Sequence, residues 1–150
     1  MESIANDLEM VVTTYLPSLK LLDESRFANK PSPSKWSKKE VIGHLVDSAQ
    51  CNIRRFMMAQ YEETPRIIYN QDRSVTIAGY QHWNSNELID LWRLLNLQIA
   101  EILKNTSDET AQRQCMTEEL HTIEWLAIDY IKHLKHHLHQ VLGLDPVAYP

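Results

Sequence analysis

A cluster of histidines near the end of the chain carries the residue types and spacing best suited to chemistry. Four of the seven histidines lie within residues 133–139. On a helix that turns about 100° per residue, His133 and His137 point in the same direction. They project from the middle of an apolar stripe that includes Leu126 and Tyr130. Two imidazoles one turn apart are about 6 Å apart along the axis, and both can bind one divalent cation at roughly 2.0–2.1 Å.

This spacing is compatible with two interpretations. Inward histidines are often core residues that hydrogen-bond to their neighbours, and a pair one turn apart is also a candidate metal site. His136 lies at the edge of the apolar stripe, where it is a candidate for the mouth of such a site. His139 points well away from the stripe, so we expect it to be solvated.

The composition favours a single helical domain. The chain has 150 residues, 43% of them hydrophobic, and only three glycines. A chain of this length can bury a core, and its low glycine content favours helices over turn-rich β structure. The net charge of −5 argues against general nucleic-acid binding, which needs a basic surface. No apolar run approaches the length of a membrane span. We therefore expect one all-α domain over residues 1–150 that binds neither nucleic acid nor membrane.

The two cysteines, Cys51 and Cys115, fit no metal-binding spacing with each other. Acidic residues such as Glu2 and Asp7 interrupt the beginning of the chain, which therefore does not have the pattern of a signal peptide. Two thiols without an export signal are most simply reduced, and we expect a cytoplasmic protein.

Four amphipathic segments are predicted to be the helices that position the histidines. The first contains Pro17, which should kink it, and the second begins at a capping box formed by Ser37 and Glu40. The helices are predicted over residues 2–24, 37–60, 84–105 and 122–143. Four such segments indicate a four-helix bundle.

The connections between these helices differ in length and character. The first and third are expected to join neighbouring helices, and residues 106–117 are predicted to form a polar loop with room for one helical turn. Residues 62–84 are long enough to cross a bundle from end to end. Loops of that length tend to be functional or to carry a short extra helix, so this connection is a candidate wall for a binding site.

The second and last helices carry motifs of a known family. Trp36-Ser37 followed by residues 40–47 resembles the second helix of the DinB-like superfamily of small helical bundle proteins. Residues 122–140, with the histidine pair and Gln140, resemble its last helix. The resemblance implies a left-handed four-helix bundle with a long crossover between the second and third helices.

The same resemblance implies a metal site. In the family, one histidine from the second helix and two from the last bind a divalent metal, and the matching positions here are His44, His133 and His137. Three neutral nitrogen ligands leave a coordination position open for water or substrate, as in catalytic zinc sites. We expect one zinc or nickel ion, and iron or manganese would suit the same ligands.

Three residues on one face of the second helix are candidates for lining this site. His44 lies beside the apolar arc, which suits a position facing a cleft, and an ordinary surface histidine is the alternative. Cys51 is a candidate fourth ligand or a packed small thiol. Arg55 is a candidate partner for an anionic substrate or a member of a surface salt bridge.

Two carboxylates are candidates for orienting the ligands. Asp47 lies near His44, and Asp129 lies one turn before His133. Either could hold a ligating imidazole through its other nitrogen, as carboxylates do in many metal sites. The alternative for both is an exposed carboxylate on a helix.

Two functions are compatible with these residues. The first is a metal-dependent enzyme that activates a cellular low-molecular-weight thiol, or water, for transfer to or hydrolysis of a small-molecule substrate. The resemblance supports the thiol, because the family contains thiol-dependent transferases. The alternative is a non-catalytic metal-binding or structural bundle, with a homodimer as one form, that acts through a partner.

Overall fold

Four long helices and three short ones make up most of the computed structural model, which describes residues 1–149. The helices are α1 (Glu2–Lys20), α2 (Glu24–Ala28), α3 (Lys38–Met58), α4 (Gln71–Ala78), α5 (Ser85–Lys104), α6 (Asp108–Ala111) and α7 (Ile123–Leu142). A short 3₁₀ turn (Tyr80–His82) precedes α5, and the strands β1 (Gln114–Met116) and β2 (Leu120–Thr122) precede α7. The four-helix bundle predicted from the sequence is confirmed.

The four long helices follow each other around the bundle in the order α1, α5, α3, α7. The side chain of Gln60, just after α3, donates to Thr106 Oγ1 just after α5, so these two neighbours run parallel. The chain must therefore return from one end of the bundle to the other between them. The predicted end-to-end crossover in residues 62–84 is confirmed.

The other two connections run diagonally across the bundle. Since α1 packs on α5 and α7, and α3 packs on the same two helices, α1 lies opposite α3 and α5 lies opposite α7. The expectation that the first and third connections join neighbours was therefore wrong. Residues 21–37 contain α2 and residues 105–122 contain α6 and the hairpin, and these elements supply the reach that a diagonal requires.

Local hydrogen bonds set the helix ends. The predicted capping box is present, since Ser37 Oγ accepts from the Glu40 N–H at 3.1 Å and the Ser37 N–H donates to Glu40 Oε2 at 2.8 Å. The first helix ends at Lys20 rather than near Glu24. The reason is that Asp23 Oδ1 accepts from the backbone N–H groups of the first turn of α2 and so begins a separate helix.

The hairpin of β1 and β2 was not predicted. Cys115 pairs with His121 across the two antiparallel strands, and the Ile67 N–H donates to Met116 O at 2.9 Å. The hairpin is thus fastened to the long connection between α3 and α5. Strands of three residues are too short to show an alternating pattern in the sequence, so only the tertiary contact reveals them.

Apolar side chains from all four long helices form the core between them. The largest fully buried ones include Trp92, Ile42, Leu8 and Ile123, one from each long helix. Buried Tyr130 keeps its hydroxyl satisfied by donating to Asn96 Oδ1 at 2.8 Å. None of the described helices is long and apolar enough to cross a membrane.

Candidate metal centre

Helices α3 and α7 bring three histidines together on their facing sides. One ring nitrogen from each of His44, His133 and His137 lies within 4.8 Å of the others. The Nε2 atoms of His44 and His133 are 3.0 Å apart. Nitrogen ligands of a tetrahedral zinc ion, bound at about 2.0–2.1 Å, lie roughly 3.3 Å from each other, so the donor set fits a divalent ion. The structure brings together the three residues that the resemblance implied.

The three imidazoles are neutral at pH 7. Burial, with a smaller contribution from neighbouring His137, lowers the pKa of His44 to about 4. Burial and the three neighbouring histidines lower the pKa of His133 to about 3, and burial lowers the pKa of His137. Neutral imidazoles offer a free lone pair, so protons do not compete with a cation for these nitrogens at neutral pH.

The orientation of the rings comes from residues that the sequence did not mark as such. Gln140 Oε1 accepts from His137 Nδ1 at 3.0 Å, which leaves Nε2 of His137 free as a ligand. Trp36 packs on the ring of His44 with a centroid separation of 5.2 Å. His44 is only 1% exposed, and its Nδ1 has no hydrogen-bond partner within the described part of the chain. Packing therefore holds the ring of His44.

The two candidate orienting carboxylates bind tyrosines instead of imidazoles. Asp47 Oδ1 accepts from the Tyr80 hydroxyl at 2.5 Å, and Asp129 Oδ2 accepts from the Tyr149 hydroxyl at 2.9 Å. Asp47 is partly buried, and this burial raises its pKa. The structure thus differs from the expectation that Asp47 or Asp129 holds a ligating histidine. The positions of Asp47 and Asp129 in the sequence did not indicate that each would accept a hydrogen bond from a tyrosine.

Tyr80 also explains the glycine before His44. A Cβ atom at Gly43 would lie 2.1 Å from Cδ2 of Tyr80, so only glycine allows the ring to pack directly on α3. The turn that leads into α5 is thereby fixed against the helix that carries His44.

The other two histidines of the cluster fasten the end of the chain to α7. His136 Nδ1 donates to Val147 O at 2.7 Å, and His139 Nδ1 donates to Asp145 O at 2.6 Å. His139 Nε2 then accepts from the Tyr15 hydroxyl at 2.7 Å. The expectation that His139 is solvated holds only in part, because the chain turns back at Gly143 (φ 69°) and leaves the His139 side chain half-buried. His136 lies beside the site, with its ring centroid 5.0 Å from that of His137.

Two connected cavities lead from the histidines to the surface. The inner cavity, about 140 Å³, reaches His44 and His133, and the outer cleft has a volume of about 810 Å³. Tyr69 and Gln71 from the long connection line both, as does Tyr149. The long connection and the end of the chain therefore form the walls of the approach to the histidines.

Arg55 and Cys51, the other two candidates on α3, face different spaces. Arg55 lines both the inner cavity and the outer cleft. Cys51 is buried and lines a separate cavity of about 190 Å³, and burial raises the pKa of its thiol. Within residues 1–149 no cysteine or carboxylate joins the three histidines, so Cys51 is not placed as a fourth ligand.

The histidine pattern of the last helix and the packing of the bundle agree with the family to which the sequence matches. The sequence model of the DinB superfamily matches residues 7–141. This chain belongs to the DinB superfamily. No curated protein sequence matches this DinB-superfamily chain significantly.

Solved structures share the fold of this DinB-superfamily protein. YfiT from Bacillus subtilis, described as a probable metal-dependent hydrolase with an unusual four-helix bundle topology, superposes with a TM-score of 0.80 and 21% identity, over 95% of this chain and 87% of YfiT. A variant of the mycothiol-dependent maleylpyruvate isomerase superposes with a TM-score of 0.78 and 14% identity. The unmodified isomerase gives 0.73 and 15%, and in both cases the chain spans 61% of the isomerase. At these identities the likeness shows the shared fold.

Proposed function

We propose that this protein is a metal-dependent enzyme that binds one divalent ion per chain through His44, His133 and His137. The observation that carries the proposal is the convergence of three neutral imidazole nitrogens, two of which belong to residues, His44 and His133, that line an open cavity. A structural zinc site closes all four positions with protein ligands, whereas three ligands leave one position open. Zinc and nickel are the ions that we expect, and iron or manganese would suit the same donors.

The protein would hold the ion in a fixed and partly desolvated site. When bound, a divalent cation lowers the pKa of a thiol or a water molecule in its open position and so supplies a nucleophile at neutral pH. Gln140 keeps the Nε2 lone pair of His137 directed inward, and Trp36 holds the His44 ring in place. Tyr69 and Tyr149 line both the inner cavity and the outer cleft, and the inner volume of about 140 Å³ suits a small molecule.

The nucleophile that we propose is a cellular low-molecular-weight thiol, transferred to a small electrophilic substrate. A free thiol has a pKa of about 8.5 and is mostly protonated at pH 7, so it gains most from a nearby cation. The fold shared with an isomerase named as mycothiol-dependent supports this choice. Activation of water for hydrolysis is the second candidate, and the shared fold with YfiT, described as a probable metal-dependent hydrolase, supports it.

Metal content tests the site. Elemental analysis of the purified protein should give about one divalent ion per chain, and His44→Ala, His133→Ala and His137→Ala should each lose it. His82→Ala is the matched control, because His82 is exposed and lies outside the cluster. Stoichiometric metal retained in His137→Ala would overturn the assignment.

An assay with several thiols tests the chemistry. Metal-loaded protein should accelerate the reaction of one cellular thiol with a reactive electrophile, relative to metal-free protein and to His133→Ala. Equal rates in all three samples would exclude thiol transfer with those substrates and put hydrolysis first. If the metal accelerates neither this reaction nor the hydrolysis of a small-molecule substrate, a non-catalytic bundle that acts through a partner is favoured.

A further inference from the structure

Arg55 lies where the inner cavity meets the outer cleft, and its guanidinium is held in place by neutral groups. Its Nε and Nη2 atoms donate to the carbonyl oxygen of Ile67 at 3.2 and 3.1 Å. Its Nη1 atom donates to Asn52 Oδ1 at 3.3 Å. The side chain is therefore fixed between α3 and the long connection without an anionic partner among these contacts.

Part of the hydrogen-bonding capacity of this guanidinium is unused. The three bonds leave one N–H group free on each of the two terminal nitrogens. No acidic side chain of residues 1–149 comes within 4.0 Å of the guanidinium nitrogens. A partly buried guanidinium is usually paired, and its terminal fork matches a carboxylate in two parallel hydrogen bonds.

The other charges around the approach limit what this cation can bind. Asp129 lines both cavities, and its Oδ2 atom accepts from Tyr149. Asp72, Glu118 and Glu119 line the outer cleft. These carboxylates disfavour a second anionic group in the cleft, so the part of a ligand that extends outward is neutral or positively charged.

The inner cavity limits the size of the anionic part. Its 140 Å³ would hold on the order of five water molecules, at about 30 Å³ each. That space suits a short carboxylic acid whose other end reaches His44 and His133 in the same cavity.

We propose that Arg55 is a specificity-determining residue that binds the carboxylate of a short-chain monocarboxylate ligand between the outer cleft and the three histidines. The inference rests on the proposed function only for the end of the ligand that reaches the histidines. The carboxylate subsite itself is a property of Arg55, Asn52 and Ile67, and it is testable whether or not a metal is bound.

The test compares propionate with its neutral isostere propionamide, titrated into the purified full-length protein and followed by NMR of the arginine Nε–H signals. Propionate should shift the Arg55 signal and bind at least about tenfold more tightly than propionamide, as expected for charge-assisted hydrogen bonds. Arg54→Gln is the matched control, since Arg54 is the neighbouring exposed arginine and lines a different cavity. It should keep the preference for propionate.

Arg55→Gln should abolish the preference for propionate. Arg55→Lys should retain part of the preference, because the lysine ammonium keeps the positive charge but lacks the two parallel donors of the guanidinium. His133→Ala separates this inference from the metal proposal, because propionate can also bind a metal ion. A preference that disappears in His133→Ala and survives in Arg55→Gln places the carboxylate at the ion and overturns the inference while leaving the metal site intact. Equal affinities of the wild-type protein for the acid and the amide also overturn it, and that result needs no variant.

Discussion

Gln140 is an exposed side chain with one contact that matters for the site, the hydrogen bond from Nδ1 of His137. A neutral imidazole carries one proton, so an acceptor at Nδ1 places the lone pair on Nε2. The same residue thereby fixes both the tautomer and the rotation of the ring. Partners of this kind contribute to metal affinity although they do not touch the ion.

Replacing Gln140 by leucine should weaken metal binding by about 10–100-fold and leave the helical content unchanged. The change removes the acceptor, so His137 is free to rotate and to change tautomer. Competition with a chelator of known affinity measures the effect. Gln98→Leu, at an exposed position on α5, is the control that should bind metal as the wild type does. Equal affinities for the two variants would show that the Gln140 contact has no role in the site.

For single residues, the sequence revealed the histidines but pointed to Asp47 and Asp129, rather than to Gln140 and Trp36, as the residues that support them. The spacing of His133 and His137 predicted that they share a face, because helical periodicity fixes direction. What each ring nitrogen contacts depends on a second element. Trp36 contacts His44 from before the start of α3, and Tyr149 contacts His133 from beyond the end of α7. The periodicity of a single helix does not predict such contacts.

Helix α3 and the turn before α5 are in unusually close contact at Gly43. The ring of Tyr80 occupies the space that a side chain at position 43 would need. The Tyr80 hydroxyl donates a hydrogen bond to Asp47, one turn further along α3. This contact anchors the end of the long connection next to the helix that carries His44.

Gly43→Ala should destabilise the protein by about 1–3 kcal/mol, although alanine is the better helix former. The added methyl group would have to displace the Tyr80 ring or the backbone of α3. Urea unfolding measures the change. In the Tyr80→Leu background the cost of Gly43→Ala should shrink, because the two positions are in direct contact. A stabilising Gly43→Ala would mean that the ring moves aside without cost.

The elements themselves were predictable to different degrees. The long helices followed from sustained apolar periodicity and from end signals such as the capping box at Ser37. The β hairpin did not, because its pairing depends on contact with residues 65–67 rather than on its own pattern. The diagonal paths of the first and third connections also depend on packing, which loop length alone does not decide.

The metal-free protein as a whole should lose stability as the pH falls from about 6.5 toward 4. His44 and His133 have a pKa of about 4 and about 3 in the folded chain, against about 6.5 when unfolded, so the unfolded chain binds more protons in this window. Above about pH 6.5 neither histidine takes up a proton in the folded or the unfolded chain, so this loss of stability is absent. Burial raises the pKa of Asp47, which acts in the opposite direction.

Urea unfolding of chelator-treated protein at pH 7.5 and pH 5 measures this dependence. The wild type should lose a few kcal/mol, and His44→Ala should lose about half as much because one of the two strongly shifted groups is gone. Comparing the variant with the wild type removes the contribution of Asp47. An identical loss in both proteins would show that the buried histidines do not control the acid sensitivity.

Removal of the metal should leave the fold intact. The core draws large apolar residues from all four long helices and does not need the histidines to assemble. Chelation should therefore preserve the helical circular dichroism and lower Tm modestly, as expected when a ligand stabilises only by mass action. A control with His137→Ala should show no further change on chelation. Loss of most of the helical signal would instead mark the site as structural.

The order of the helices around the bundle has a consequence for how the chain folds. No two long helices that pack against each other in antiparallel orientation are consecutive in sequence, and contacts such as that of the Met1 amino group with Asp108 join residues 107 positions apart. Folding cannot begin with a local helical hairpin, so relative contact order is high for an all-α protein. We expect refolding to be slower than in an up-and-down bundle of this length. During synthesis, α1 has no neighbour to pack on until α5 has been made.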